Sequence, residues 1–401
     1  MMSQLFRFFR CFVILIFIFS FGMILTSLIP NSALEPQYSK SIAQLENEEI
    51  YPNYLFGADA AIMDNFTDMI MIKTCGISEA YENIIQAAFG NNGYPRYWNG
   101  YLLFLRPFLS QFSYQQIRYI NMFLLFVCFC FCFSGILNQT NIAVAIGFCI
   151  SITACFLIFI GESLQYFSVF MLSFVLLLII LYVPGFQNQA NTALLLFAAG
   201  MTTNFFDMLT APLLTLGIPL ILILSFNGQR NDTYSFFRHV SLIFIHTASW
   251  ACGYALCWVT KWAIATLIFK ENIFADAMKT ANLRVNGSEA FPLDRMMMFK
   301  LNINTYYFAK GHKPFIFVAA IIMIFIVMLI LHHKKNVKSR LIPVIFVGSF
   351  PYIWYFIFAN HSQLHYFYTY RIQAMTLFSV FAALGTSIDW KFYAQKRTKI
   401  D

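Results

Sequence analysis

Long runs of apolar residues, separated by short polar segments, extend from residue 11 to residue 387. A transmembrane helix needs about 20 mainly apolar residues, and ten runs approach this length. The pattern predicts spans at 11–29, 117–137, 142–160, 164–183, 191–206, 211–226, 240–260, 314–331, 341–359 and 368–387. Residues 258–269 either extend the seventh span or lie along the interface. We therefore expect an all-α polytopic membrane protein with a single integral membrane domain over 1–401.

Two long polar segments, 30–116 and 270–313, interrupt this pattern. The first contains "AAIMDNFTDMIMI" and "YWNGYLLFLRPFL", which are amphipathic at helical spacing and too short or too polar to span a bilayer. Such segments are typical of helices that lie in the membrane interface. The spacing of Asp64 and Asp68 predicts that both lie on one face of such a helix.

Composition excludes an ordinary soluble domain, because 59% of the residues are hydrophobic and only 11% are charged. The formal net charge of +8 does not indicate nucleic-acid binding, since many of the basic residues lie in short segments between spans. The basic flank and long apolar run at the N-terminus favour an uncleaved first span over a signal peptide.

Basic residues concentrate in short segments such as "HHKKNVKSR" and near the C-terminus, at Lys391, Lys396, Arg397 and Lys399. The positive-inside rule places these segments, and both chain termini, in the cytoplasm. The two long segments are then outside. The second of them holds seven basic and four acidic residues, which departs from the simple rule.

Five polar islands interrupt the apolar sequence, and the ten-span topology places all of them at the outer membrane face. They are 59–68, 94–101, 161–166, 204–212 and 360–371. Ionisable groups near hydrocarbon are costly and usually face a protein interior or a wet cavity. We therefore expect the islands to share one outward-facing cavity.

Each island also has a simpler interpretation. The aspartates can form the wet face of an interfacial helix, Asp207 can cap the sixth span, and Glu162 can be solvated in a short turn. His361 and His365 have a spacing compatible with a metal, but no acidic residue lies between them. No Walker loop, HExxH or CxxC motif occurs, so the sequence supports no metal and no cofactor.

Arg371 is expected about one turn inside the tenth span, where an arginine needs a carboxylate or a bound phosphate as its partner. This position makes it the most informative residue of the fifth island.

The order of these features resembles the GT-C superfamily of membrane glycosyltransferases. A first span, a long acidic outer loop with interfacial helices, a bundle of short-looped spans and a late second outer loop carry the resemblance. It implies sugar transfer from a polyprenyl-phosphate donor to a cell-envelope acceptor, a glycan or a lipid, on the outer face. It also implies that a first-loop aspartate is the catalytic base, and Asp59 in "LFGADAAIMD" matches best.

The expected reaction is inverting hexosyl transfer at a bacterial plasma membrane. One carboxylate deprotonates the acceptor hydroxyl, and cations hold the departing phosphate. We expect substrate contacts from Asp64, Asp68, Trp98, Tyr101, Glu162, Asp207, His361, His365 and Arg371. Arg284, Arg295 and Lys300 of the second outer loop are further candidates for the phosphate.

Two other function classes stay open at this point. A transporter or a lipid or polysaccharide flippase would also need polar groups in a membrane bundle, although transporters usually place them near the midplane. A non-catalytic envelope-assembly membrane protein would need neither the aspartates nor Arg371.

Overall fold

A computed structural model describes residues 2–55, 58–78, 80–186, 188–230, 236–308 and 312–392. Lys396, Arg397 and Lys399, like Phe56 and Gly57 of the quoted Asp59 motif, lie outside these ranges. The helices are α1 (Met2–Ser27), α2 (Asn31–Asn47), α3 (Asn65–Cys75), α4 (Ile84–Gly90), α5 (Leu102–Leu109), α6 (Tyr114–Gln139), α7 (Ile142–Thr153), α8 (Leu157–Glu162), α9 (Leu164–Tyr182), α10 (Gln189–Phe206), α11 (Leu214–Arg230), α12 (Phe236–Phe269), α13 (Ile273–Asn286), α14 (Arg295–Tyr307), α15 (His312–Leu331), α16 (Val337–Gly348), α17 (Phe350–Ile357), α18 (Ala359–Leu364), α19 (Tyr366–Thr369) and α20 (Ala374–Ser387). Three short 3₁₀ helices complete the regular structure at Asp59–Ala61, Asn91–Gly93 and Tyr370–Gln373, and the described residues form no strand.

Six helical segments are long and apolar enough to cross a membrane: Gln4–Ser27, Tyr114–Gln139, Leu164–Tyr182, Phe236–Phe269, Lys313–Leu331 and Val337–Ile357. Ile142–Thr153 and Leu214–Phe226 are shorter apolar helices. The predicted all-α membrane class agrees with this architecture. Helices occupy all ten predicted segments, but ten crossings stay a prediction.

Two segments differ from the sequence prediction, and a third decides between two alternatives that the sequence left open. The predicted span 142–160 is broken between α7 and α8, where Phe156 adopts the left-handed conformation with φ 59°. Residues 258–269 extend the seventh span as one continuous 34-residue helix. The last helix begins at Ala374, so Arg371 lies in the 3₁₀ turn before it rather than inside a span.

The first long loop contains helices at both predicted amphipathic segments, α3 and α5. Asp64 is the N-cap of α3 rather than a residue within it, because its carboxylate accepts a hydrogen bond from the Thr67 backbone N–H at 3.0 Å. A short acceptor side chain at this position satisfies an otherwise unpaired helix N–H group. The carboxylates of Asp64 and Asp68 therefore have different partners despite their helical spacing.

Both long loops and three short turns lie at one end of the bundle, which we call the loop end (28–113, 154–163, 207–213, 270–308 and 358–373, where described). Four long-range contacts establish this: Asp68 with Leu164, His361 with Leu209, Arg96 with Asp276, and Asn360 with Leu283. The five predicted polar islands therefore share one end of the molecule.

Helices α10 and α12 pack at very short range and set the position of the turn that follows α10. A Cβ atom added at Gly200 would collide with the backbone of Trp250, and one at Gly253 with the backbone of Phe197. Small residues permit such close approach of helices in membranes. This packing brings the loop end of α10, with Asn204, against Tyr254 of α12.

Candidate functional site

Buried and half-buried polar side chains from six parts of the chain meet at the loop end. We call them the polar cluster; it comprises Asp64, Gln165, Asn204, Asp207, Tyr254, Arg284, His361, His365 and Tyr368. Tyr368 lies at its centre, and its hydroxyl is within electrostatic reach of Asp64, Asp207 and Arg284. Burial, together with the negative charges of the two aspartates, holds the pKa of Tyr368 well above its usual value.

The cluster carboxyls of Asp64 and Asp207 are almost fully buried, at 3% and 6% exposure. Burial disfavours the charged form of a carboxyl group. It raises the pKa of Asp64 to about 6 and that of Asp207 to about 7, although both carboxyls accept hydrogen bonds from nearby backbone N–H groups. Both groups therefore titrate near neutral pH.

Asp207 ends α10, and both its oxygens accept hydrogen bonds from the Thr210 N–H at 3.1 Å. The tight turn places Leu209 in the left-handed region with φ 67°, which is costly for a branched side chain. The Leu209 carbonyl points to His361, whose Nε2 lies 2.9 Å from it.

His361 connects this turn to Arg284 on α13. The Arg284 Nη1 atom lies 3.3 Å from His361 Nδ1, so Nδ1 accepts while Nε2–H donates to Leu209. Burial, followed by the charge of Arg284, holds the pKa of His361 well below its usual value. Burial likewise lowers the pKa of His365 to about 4. Both histidines are therefore neutral at pH 7.

Three buried side-chain oxygens around the cluster have no hydrogen-bond partner among the described residues: Gln165 Oε1, Asn204 Oδ1 and Asn360 Oδ1. Buried polar atoms are nearly always hydrogen-bonded in folded proteins. A ligand or ordered water in the cluster would complete these bonds.

Arg371 contacts the backbone of the turn that carries Asp59, but it forms no ion pair with the Asp59 carboxylate. Asp59 is half-buried in the first 3₁₀ helix, next to Tyr366. The Arg371 guanidinium donates from Nη2 to the carbonyl of Ala60 at 3.5 Å and from Nε to that of Cys155 at 3.3 Å. Arg371 thus joins the Asp59 turn to the break between α7 and α8.

Of the two expected partners of Arg371, a carboxylate and a bound phosphate, the carboxylate is not present among the described residues within 4.0 Å. Its Nη1 donates to a third carbonyl, that of Phe367, and the guanidinium lies 4.1 Å from the centre of the Tyr166 ring. Carbonyl oxygens and aromatic faces stabilise the cation without neutralising it.

Asp68 is fully buried and stands apart from the cluster. It accepts hydrogen bonds from Tyr114 Oη at 2.6 Å, from Ser163 Oγ at 3.2 Å, and from the backbone N–H groups of Leu164 and Gln165 at 2.9 and 3.1 Å. An anion at a helix N-terminus is favourable, so Asp68 caps α9. These four donors leave its oxygens little capacity for a substrate.

The structure does not bring Trp98, Tyr101 or Glu162 into the polar cluster. Trp98 is only 1% exposed and packs among Phe19, Phe89 and Phe205, so its position does not support sugar stacking. Tyr101 lines an apolar cleft. Glu162 is half-buried, and its backbone carbonyl accepts a hydrogen bond from Arg118.

That apolar cleft, of about 330 Å³, lies between the first-loop helices α3 and α5 and the spans α6 and α9. Met71, Tyr101, Leu124, Leu164 and Phe206 are among its lining residues. Leu164 and Phe206 directly neighbour the cluster residues Gln165 and Asp207 in sequence, so the cleft runs beside the polar cluster.

Sequence reasoning included Gln165, Asn204 and Tyr368 only as members of polar islands, and it missed Tyr254. All four are uncharged, and the three islands were recognised from their charged members. Gln165 in the first turn of α9 and Asn204 in the last turn of α10 could have been found as polar residues at the ends of apolar helices. No such signal marks Tyr254, which lies within α12. The described residues contain no group of three His, Cys, Asp or Glu side chains suited to a metal ion.

Comparisons with known proteins identify no relative. A scan against protein-family models found no matching family. Searches of curated proteins and of solved structures also found no match.

Proposed function

We propose that this protein transfers a sugar from a polyprenyl-phosphate donor to an envelope glycan or lipid at the outer face of a bacterial plasma membrane. The polar cluster is the observation that carries the proposal. It combines buried carboxyls, a cation and hydrogen-bonding side chains with unpartnered oxygens, at one end of otherwise apolar helices. The neighbouring apolar cleft offers a place for part of the polyprenyl chain.

Asp59 is the proposed catalytic base. A general base must come within reach of the acceptor hydroxyl. The half-buried Asp59 is more accessible to an acceptor than Asp64 or Asp207, which are almost fully buried. These two carboxyls are suited to hydrogen bonds with sugar hydroxyls. The uncompensated charge of Arg371 beside the Asp59 turn would stabilise the departing phosphate.

The test is sugar transfer by the purified protein in nanodiscs, with a panel of polyprenyl-phosphate hexoses and envelope extract as acceptor. Asp59→Asn keeps the shape and loses the basicity, so turnover should fall about 10²–10⁴-fold with donor binding little changed. Glu49→Gln removes an exposed carboxylate of the same loop and serves as the matched control. Full turnover in Asp59→Asn would refute its role as base.

A transporter or flippase is the second candidate, favoured by the break between α7 and α8 with Arg371 at it. Discontinuous helices with a charge at the break are typical of transporters. Movement of a polyprenyl-phosphate sugar from one leaflet of a proteoliposome membrane to the other, without release of polyprenyl phosphate, would support transport over sugar transfer.

A further inference from the structure

A small pocket lies at the loop end, beside the polar cluster and away from Asp59. Its volume is about 100 Å³. We call it the arginine–tryptophan pocket and define it by Arg96, Tyr97, Leu209, Trp258, Trp262 and Arg284, which all line it. Helices α12 and α13, the loop before α5 and the turn after α10 contribute these residues, so both long loops meet there.

Aromatic rings form a continuous row along α12 and end at this pocket. Neighbouring ring centroids are 5.0 Å apart for Trp250 and Tyr254, 5.3 Å for Tyr254 and Trp258, and 5.5 Å for Trp258 and Trp262. Trp258 and Trp262 remain half-exposed. Aromatic side chains combine a flat apolar face with a polar edge, which suits the apolar face of a sugar ring.

The pocket also carries an excess of positive charge. Arg96 is paired with Asp276 at 2.8 Å, but its buried Nε has no hydrogen-bond partner in the described chain. For Arg284, no described carboxylate lies within 4.0 Å. The neutral His361 fixes the position of Arg284 without neutralising it. Of the two pocket arginines, Arg96 is thus paired with a carboxylate and Arg284 has none within 4.0 Å among the described residues.

We propose that the arginine–tryptophan pocket binds an anionic sugar, one that carries a carboxylate or a phosphate group. The sugar ring stacks on Trp258 or Trp262, and the anionic group accepts hydrogen bonds from the guanidinium of Arg284, which is suited to planar or bidentate recognition. The inference deepens the proposed function, on which it rests, because it assigns an anionic sugar unit to the transferred sugar or to the acceptor.

The experiment measures binding by saturation-transfer NMR to the full-length protein in nanodiscs. The probes are glucuronate, glucose 6-phosphate and glucose; inorganic phosphate, which has no carbon-bound proton to observe, is added as a competitor. At least one of the two anionic sugars should bind about tenfold or more tightly than glucose, since loss of a charge-assisted hydrogen bond costs at least this much. Inorganic phosphate should bind more weakly than the anionic sugar that binds, because it lacks the ring.

Variants separate this site from general charge effects. Arg284→Gln should weaken binding of the anionic sugar about tenfold and leave the weak binding of glucose unchanged. Trp258→Phe should weaken both. Lys279→Gln is the matched control, since Lys279 is an exposed cation of the same helix α13 and does not line the pocket. A thermal melt of each variant establishes that it is folded.

Equal binding of glucose and both anionic sugars, or unchanged binding in Arg284→Gln, would overturn the proposal. Displacement of the sugar by polyprenyl phosphate alone would also overturn it, because the pocket would then hold the donor phosphate. Failure here leaves the effect of Asp59→Asn on transfer intact. Conversely, full transfer by Asp59→Asn would refute Asp59 as the base without changing the measured sugar binding at the arginine–tryptophan pocket.

Discussion

At the scale of single residues, burial controls the ionisation of the cluster carboxyls. The pKa of Asp207 rises from its ordinary 3.8 to about 7, mainly through loss of solvation. The native state therefore binds this proton more tightly than the unfolded chain does. Between about pH 4 and pH 7 the unfolded chain is ionised first, so the stability contributed by Asp207 falls as pH rises.

Asp207→Asn should accordingly stabilise the protein at high pH. The amide keeps an acceptor for the Thr210 N–H and does not titrate. The free energy of unfolding of the variant, relative to wild type, should increase from pH 4.5 to pH 7 by on the order of a few kcal/mol and stay constant above pH 8. Thermal unfolding in detergent at these pH values measures it. Glu49→Gln, at an exposed site, should show no such trend. A difference in the free energy of unfolding between Asp207→Asn and wild type that does not change with pH would contradict the raised pKa of Asp207.

At the scale of elements, Arg118 connects the first loop to the bundle. From α6 it forms a two-pronged ion pair with Glu48, which follows α2, at 3.0 and 3.1 Å. It also donates to Asn65 Oδ1 of α3 at 3.2 Å and to the Glu162 carbonyl of α8 at 2.8 Å. One buried guanidinium therefore positions the loop helices over the bundle.

Removal of the Arg118 cation should lower the free energy of unfolding more than removal of the Glu48 carboxylate. Arg118→Met leaves Glu48 without its cationic partner, although Gln44 and Asn65 still donate to it, and takes the donor from two further oxygen acceptors. It should lower the free energy of unfolding by about 3 kcal/mol or more. Glu48→Gln should cost less, because Glu48 is more exposed. In a double-mutant cycle the two changes should couple by about 1–3 kcal/mol. Simple additivity of the two melting shifts would show that the pair is not energetically linked.

The helices were predictable from the sequence because apolar runs and amphipathic spacing report directly on burial. The break at Phe156 was not, since "ACFLIFI" is uniformly apolar and the Cys155 carbonyl accepts hydrogen bonds there from Tyr370 and Arg371, more than 200 residues away. The start of α20 was misplaced because two short helical segments, Tyr366–Thr369 and Tyr370–Gln373, precede it. Of the site, the titratable residues Asp64, Asp207, Arg284, His361 and His365 were recognised. Their common centre, Tyr368, depends on packing between distant helices, which no local pattern reports.

At the scale of the whole molecule, contacts between distant segments sort the chain into two ends. Opposite the loop end, Arg7 donates to Asn191 Oδ1 at 2.8 Å, Asn141 donates to the Gly385 carbonyl at 3.0 Å, and the Lys334 N–H donates to the Ser387 carbonyl at 2.9 Å. The basic segment 332–340 thus lies at the end of the bundle away from both long loops. The geometry fixes which segments share an end, and the charge bias assigns those ends to the two sides of the membrane.

Cysteine labelling tests that assignment. In a cysteine-depleted background, single cysteines at Ser39 and Glu289 should react with a membrane-impermeant maleimide in intact cells, because both positions are exposed and belong to the loop end. A cysteine at Lys338, exposed at the opposite end, should react only after permeabilisation, because the positive-inside rule places its segment in the cytoplasm. The reverse pattern would place the polar cluster on the cytoplasmic side, where a donor presented at the outer face cannot reach it. Labelling of Ser39 and Glu289 from opposite sides would contradict the shared loop end itself, and with it the ion pair between Arg96 and Asp276.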